Sequence, residues 1–351
     1  MSRDMAVAVV GATGAVGQEL LRLLAERNFP AHEVRALASA RSVGKPVSYG
    51  DRALVVQELT AESFDGIDVA FFSAGATRSR EFAPVALAEG AVVIDNSSAF
   101  RMDPTIPLVI PEINFDAIRS EDRLIANPNC SAIILLMAVA PLRSLGKIDR
   151  IIVSTYQSAS GAGASAMEEL EDQTRAVLAG QAAEPKVMPH RYAFNLFSHN
   201  TPIGETGYNE EEEKVVAESR KILGEPELRI NPTCVRVPVL RAHSESITVE
   251  FAGTAPSEND VRECLRNAPG VRLVDDRESN TFPMPHDASG QDDVLVGRIR
   301  RDISHPSAIS MFVAGDQLLK GAALNAVQIA ERMFATSQRC SSVAAENQGR
   351  P

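Results

Sequence analysis

Ala6-Val7-Ala8-Val9-Val10-Gly11-Ala12-Thr13-Gly14-Ala15-Val16-Gly17 reads as a strand, a glycine turn and the entry to a helix. The five-residue apolar run is of the type buried in a parallel sheet, and the turn leads into a helix predicted from Gln18 to Arg27. This is the opening of a dinucleotide-binding unit. The glycines let the backbone turn tightly and approach a pyrophosphate, whose charge rests on the helix N-terminus. The spacing is G-x-x-G-x-x-G, a departure from G-x-G-x-x-G, so its weight comes from lying between strand and helix. Gly11, Thr13, Gly14, Ala15, Val16 and Gly17 are therefore the first cofactor-binding candidates.

The next strand, Glu33 to Ala38, should end near the adenosine ribose, where an NAD site places an acid for the 2′-hydroxyl. No acid stands there. Ser39-Ala40-Arg41-Ser42-Val43-Gly44-Lys45 supplies hydroxyls and cations instead, which suits the 2′-phosphate of NADP, with Ser39, Arg41 and Ser42 as the candidates. Two further buried strands, Asp68 to Gly75 and Ala91 to Ser98, end in small or polar residues, among them Ser73 and Gly75, where strand tips of an open parallel sheet meet ligand. A helix from Ser79 to Glu89 is the crossover between them. Arg101, just past the second tip, is either a solvated loop arginine or an anion holder.

Asn127-Pro128-Asn129-Cys130 precedes an apolar run, Ser131 to Ala140, with no breaker until Pro141. Pro128 disfavours helix before it and Asn129 is a good cap, so a helix should begin at or beside Cys130. Unpaired N–H groups and the helix dipole favour a thiolate there, making Cys130 a candidate nucleophile; the plainer alternative is a small buried hydrophobe.

Beyond it, Asp149 to Gln157 is a predicted strand running into the small-residue loop Ser158-Ala159-Ser160-Gly161-Ala162-Gly163, which lies close to a ligand or another backbone. A polar helix from Ala164 to Gln181 and a long irregular excursion from Ala182 to Pro202 follow. Tyr208 to Leu223 is a charge-rich helix whose Glu210 to Lys214 run reads as a solvated face, with Glu211 and Lys214 paired at i,i+3. Cys234 to Phe251 reads as two strands with a turn near His243. The alternation of Val235, Val237 and Val239 puts Arg236 on the other face, where it is able to clamp a carboxylate, while His243 is suited to carry protons near neutral pH. Leu295 to Arg301 and Ile309 to Ala314 complete a mostly antiparallel second sheet. A long helix from Asp316 returns to the first domain, and the polar tail from Thr336 is expected to fray.

The chain has 351 residues, 44% hydrophobic and 23% charged, which fits two globular domains with a sizeable core. A formal charge of −11, 35 basic against 46 acidic residues, disfavours nucleic acid and acidic membrane surfaces. Four scattered cysteines make neither a disulfide framework nor a zinc site, and no metal is expected. The apolar run after Asp4 is too short for a signal core or a membrane span, so the expected compartment is the cytoplasm.

As a set, Gly11 to Gly17, Ser39 to Ser42, Asn127 to Ser131, Ser154-Thr155-Tyr156-Gln157 with Ser160 to Gly163, Cys234 to Pro238, Ala242-His243-Ser244 and Lys320 to Asn325 resemble the aspartate-β-semialdehyde dehydrogenases. The resemblance runs from Val7 to about Ala330. It implies an α/β architecture: an N-terminal Rossmann-like, doubly wound parallel sheet at residues 1–128, completed by a helix at 316–335. An α+β catalytic and dimerisation domain with a mostly antiparallel sheet occupies 129–315. It implies NADPH-dependent reduction of L-aspartyl 4-phosphate to L-aspartate 4-semialdehyde and phosphate through a thioester on Cys130. His243 would be the acid/base and Gln157 the group that orients acyl or thiol. Arg236 would hold the α-carboxylate and Glu211 the amino group, with phosphate going to Arg101, Asn129 and Lys214. Ser160, Gly161 and Asn325 join the cofactor set, and a homodimer or tetramer is implied. Ala126 and Gln317 depart mildly from the family pattern. The alternatives are an N-acetyl-γ-glutamyl-phosphate reductase, which needs no partner for a free amino group, and a non-catalytic NADP-binding sensor.

Overall fold

The computed structural model describes residues 4–335, so the expected tail at 336–351 lies outside the described residues. The chain forms two compact units, one ending at Asn127 and resuming at Ala322, the other spanning Pro128–Gly321.

The first unit contains β1 (Met5–Val10), α1 (Ala15–Glu26), β2 (Ala31–Ala38), β3 (Pro46–Tyr49), β4 (Arg52–Val55), β5 (Gln57–Glu58), β6 (Val69–Phe72), α2 (Ala76–Ala88), β7 (Val92–Asp95), α3 (Pro111–Asn114) and β8 (Leu124–Ala126). Six strands form one sheet in the order β5-β2-β1-β6-β7-β8, and every pairing is parallel. β1 lies between β2 and β6, so the order reverses direction at β1, the switch point where ligands bind in doubly wound sheets. Every residue of β1 is buried, which is why the strand is an unbroken apolar run. The antiparallel hairpin β3–β4 stands apart from this sheet, turning through Gly50 at φ +56°; the sequence reading has no counterpart to it.

The second unit contains α4 (Cys130–Val139), β9 (Ile148–Gln157), α5 (Ala164–Leu178), β10 (Phe197–Ser198), α6 (Glu210–Leu223), β11 (Arg229–Arg236), β12 (His243–Phe251), α7 (Glu258–Arg266), β13 (Val271–Leu273), α8 (Pro285–Ala288), β14 (Val294–Arg301) and β15 (Ala308–Gly315). Its sheet runs β10-β11-β9-β12-β15-β14-β13, antiparallel except for β11–β9 and β13–β14. β11 and β12 do not form the expected two-stranded turn, because β9 lies between them. The connection crosses the tip of β9: Val237 N–H donates to the Gln157 carbonyl, and Ala159 and Ser160 donate to Val239 and Leu240. The last residues of β9 and β11 and the first of β12 thereby meet at one end of the sheet.

The helix predicted from Asp316 is shorter. Asp316 Oδ1 accepts from the N–H groups of Leu318 and Leu319, and its Oδ2 pairs with Arg241 at 2.6 Å. A π-helical turn at Leu319–Ala323 follows, and residues 324–335 are α-helical. Among the described residues no helix is long and apolar enough to cross a membrane.

Candidate active site

Cys130 is the first residue of α4, whose next nine residues are all buried. Its start is fixed by Asn129, whose Oδ1 accepts from Ser131 N–H at 2.9 Å and Ala132 N–H at 3.2 Å. The same residue ties α4 to α6: its backbone N–H donates to Glu218 Oε2 at 2.6 Å and its Nδ2 to Glu211 Oε1 at 2.9 Å. Cys130 is half-buried and outside any disulfide. A β-carbon on Gly321 would stand 3.0 Å from the Cys130 β-carbon, so that backbone backs the thiol closely.

The Glu210 to Glu213 run is not one solvated face. Glu210 and Glu213 are exposed, whereas Glu211, Glu212 and Glu218 are buried with specific partners. Glu212 caps the helix start with Asn209 and accepts from Cys234 N–H at 2.8 Å. Glu211 accepts from Asn129 and from Gln157 Nε2 at 3.2 Å. Burial opposes its charge, but the Asn129 amide and the Arg236 and Lys214 cations favour the carboxylate, and the carboxyl is held below its ordinary range. Lys214 does not pair with Glu211 as the i,i+3 spacing predicted. Its Nζ binds Glu210 at 2.8 Å, because Glu211 is turned inward.

Gln157, the last residue of β9, also donates to Ser131 Oγ at 2.9 Å and is in register with Arg236 on β11. Arg236 is 3% exposed, its Nε donating to Asn200 Oδ1 and its Nη1 to the Ser158 carbonyl, both at 3.1 Å. His243 opens β12 and is wholly buried. Ser158 N–H donates to its Nδ1 at 3.0 Å, so Nδ1 is the acceptor nitrogen and the neutral ring carries its proton on Nε2. That Nε2 is buried without a partner in the protein. Burial first, then Arg236, push the imidazole well below its usual range, so it is neutral at pH 7. Ala242, just before it, has φ +70°, a conformation costly for a residue with a β-carbon. Gln317 Oε1 holds that residue by accepting its N–H at 2.9 Å, while the Gln317 amide donates to Ser160 Oγ. A β-carbon on Gly161 would lie 2.8 Å from His243 Cε1 and 2.9 Å from Arg236 Nη1, so any larger residue there has to displace both side chains.

In the first unit a cavity of about 720 Å³ is lined by Gly11, Thr13, Gly14, Ser39, Arg41 and Ser73, together with Glu58, Arg78 and Glu81. A β-carbon on Gly11 would come within 2.9 Å of the Ser73 backbone, so the turn is drawn tightly against β6. α1 begins without a side-chain cap, leaving its first N–H groups for an anion. These features fit a dinucleotide, with Arg41 and Ser39 where β2 ends. Ala15, Val16, Gly17, Ser42 and Gly75 are not among the lining residues: Gly17 packs under the Gly11 carbonyl and Gly75 is the cap residue of α2. Arg101 is buried and donates to the carbonyls of Asn127 and Asn96 at 2.9 and 2.8 Å. Asn325 donates to Val109 O and Asn127 Oδ1. Ser160 and Gly161 belong to the second unit, beside His243. His199, Asn200, Ser131 and Ser158 are site residues the sequence reading did not single out. Among the described residues no group of three or more His, Cys, Asp or Glu side chains is arranged to hold a metal.

A doubly wound nucleotide unit joined to a mixed-sheet unit bearing a capped cysteine, an imidazole and a buried guanidinium defines a two-domain, nicotinamide-dependent dehydrogenase. Residues 6–121 match the family model of the semialdehyde dehydrogenase NAD binding domain, and residues 139–320 that of the semialdehyde dehydrogenase dimerisation domain. Aspartate-semialdehyde dehydrogenase from Synechocystis sp. is 53% identical over 94% of this chain and 98% of its own, and the Bacillus subtilis enzyme 45% identical over 95% and 98%. Aspartate semialdehyde dehydrogenase II of Vibrio cholerae, solved with ASA, superposes with a TM-score of 0.91 at 44% identity, covering 95% of this chain and 99% of that one. The Candida albicans enzyme, solved with NADP, superposes with a TM-score of 0.75 at 25% identity over 96% and 99%. The chain belongs to the aspartate-semialdehyde dehydrogenase family.

Proposed function

We propose that the chain reduces L-aspartyl 4-phosphate to L-aspartate 4-semialdehyde with NADPH, releasing phosphate. The observation that carries this is the meeting of Gln157, Arg236 and His243 at one sheet end, with the Asn129-capped start of α4 tied to the ionised Glu211. Cys130 attacks the acyl phosphate, its sulfur bonds to the acyl carbon and the bond to the phosphate oxygen breaks, giving a thioester and free phosphate. When bound, the reduced nicotinamide supplies the hydride. The His243 Nε2–H donates to the oxyanion that develops on the thiohemiacetal, and collapse of that adduct returns the thiolate and frees the aldehyde. Gln157 orients the acyl group, Arg236 binds the α-carboxylate and Glu211 the ammonium, and Lys214, Arg101 and Asn129 receive the phosphate.

NADP is the proposed cofactor, supported by Ser39 and Arg41 beside the cavity and by the absence of an acid at the end of β2. A homodimer or tetramer is the proposed assembly, and the cytoplasm, where thiols stay reduced, the proposed compartment. An N-acetylated substrate would leave Glu211 facing no ammonium, which favours the free amino acid over the N-acetyl-γ-glutamyl reading. The test is incubation with aspartate semialdehyde, NADP and phosphate, following nicotinamide absorbance. A phosphate-dependent rise is expected, and Cys130→Ala should cut turnover by about 10⁴-fold or more with NADP affinity nearly intact. No phosphate dependence, or substantial turnover by the alanine variant, would contradict the thioester route.

A further inference from the structure

β10 is only two residues long, yet it leads directly to a buried imidazole that the reaction above does not employ. Phe197 and Ser198 pair with Arg236 and Val235, and His199 continues that register by donating its backbone N–H to the Cys234 carbonyl at 3.2 Å. Alternation along the strand puts His199 on the same face of the sheet as Arg236 and Cys234. It is 8% exposed. Thr201 N–H donates to its Nδ1 at 3.3 Å and Thr201 Oγ1 lies 3.1 Å from the same nitrogen, so the neutral ring carries its proton on Nε2. That Nε2 is buried and meets no partner in the protein, and a buried donor of this kind calls for one. The charged groups around it are Arg236, Glu211, Lys214 and Glu210, of which Arg236 and Glu211 are assigned above to the carboxylate and ammonium of the substrate and Lys214 to the phosphate.

We propose that His199 is a specificity residue for the amino-acid end of the substrate, its Nε2–H donating to the same carboxylate that Arg236 holds. The proposal rests on the reading of this pocket as the aspartate semialdehyde site. Burial first, then Arg236, bring the imidazole down to about 4, so it enters the pocket uncharged. A neutral donor binds the carboxylate without repelling Arg236, and it leaves Glu211 free for the ammonium group. A cation at the same place would compete with the substrate for Glu211. The carboxylate is the partner favoured over phosphate because His199, opposite Cys234, lies on the face that carries Arg236, whereas Lys214 is drawn to the exposed Glu210.

Three variants, His199→Leu, His199→Asn and His199→Gln, test this with aspartate semialdehyde, phosphate and NADP varied in turn. Loss of one hydrogen bond to a charged group corresponds to roughly tenfold. His199→Leu and His199→Asn should therefore raise the KM for the aldehyde about tenfold, with kcat and the other two KM values changing less than about threefold. Asparagine keeps a polar contact near Thr201 but does not reach the Nε2 position, so it carries the comparison if leucine melts early. Glutamine reaches that position and should restore the aldehyde KM to within about threefold of wild type. A rise in phosphate KM alone, equal losses in all three variants, or an unmoved aldehyde KM each overturns the assignment. A wild-type enzyme without turnover would instead defeat the proposed function itself, and an unmoved KM in an active enzyme defeats only the role of His199.

Discussion

Gly161 shows how much of the site depends on one missing methyl group. Its sequence context, a run of small residues after a strand, announces close approach to something; the structure supplies His243 and Arg236 as the neighbours. Gly161→Ala should push both side chains aside and lower kcat by about a hundredfold, while the melting temperature falls little; near-wild-type kcat would show that both residues have room to spare. Cys130 was legible from its helix start and Arg236 from the alternation around it, although β11 ends at Arg236 and leaves Val237 and Val239 outside the strand, while Gln157 and His243 drew their roles from the family resemblance. His199 was not legible, since it sits in the irregular 182–202 segment, where no periodicity distinguishes a buried residue from an exposed one. Glu245 was legible in part. The period-two alternation with Ile247, Val249 and Phe251 puts its side chain on the inner face, but nothing local says that both oxygens are unpartnered.

α4 and α6 form one device, joined through Asn129. Asn129→Ala removes the cap of α4 and the donor to Glu211 together, so it should cost about 1–2 kcal/mol of stability and be read as a lower denaturant midpoint. No loss would mean that the helix start is held by other contacts. The start of α4 was readable from Pro128 and Asn129, because capping is a local rule. The burial of Glu211, Glu212 and Glu218 was not, although their spacing with Val215, Ser219 and Ile222 traces one helix face. Four glutamates in succession look solvated until Asn129, Gln157 and the Cys234 backbone are brought to them from elsewhere in the chain. The separation of β11 from β12 has the same origin, since strand insertion is a long-range choice with no signature at the turn.

Across the fold, burial also sets a pH dependence. Glu245 lies in register with Thr155 on one side and Val313 on the other, and burial alone raises its carboxyl well above the ordinary carboxylate range. The folded chain therefore holds this proton to higher pH than the unfolded chain does. Its contribution is fully present below the unfolded value, about 4.3, and is lost as pH rises through the folded value. Glu245→Gln, neutral at every pH, should match wild type in acid and become more stable than it by about 1–3 kcal/mol toward alkaline pH. Urea midpoints measured across that range check the sign, and a constant difference at all pH values would mean that Glu245 is already paired. The nucleotide unit and the cysteine turn could be read directly from the amino-acid order, because apolar runs, glycine turns and caps act within a few residues. The inward turn of Glu211, the place of His199 and the meeting of Arg236, Gln157 and His243 came only with the folded chain. They depend on which strands become neighbours, and strand pairing joins residues 80 or so positions apart through contacts that no short window of sequence contains.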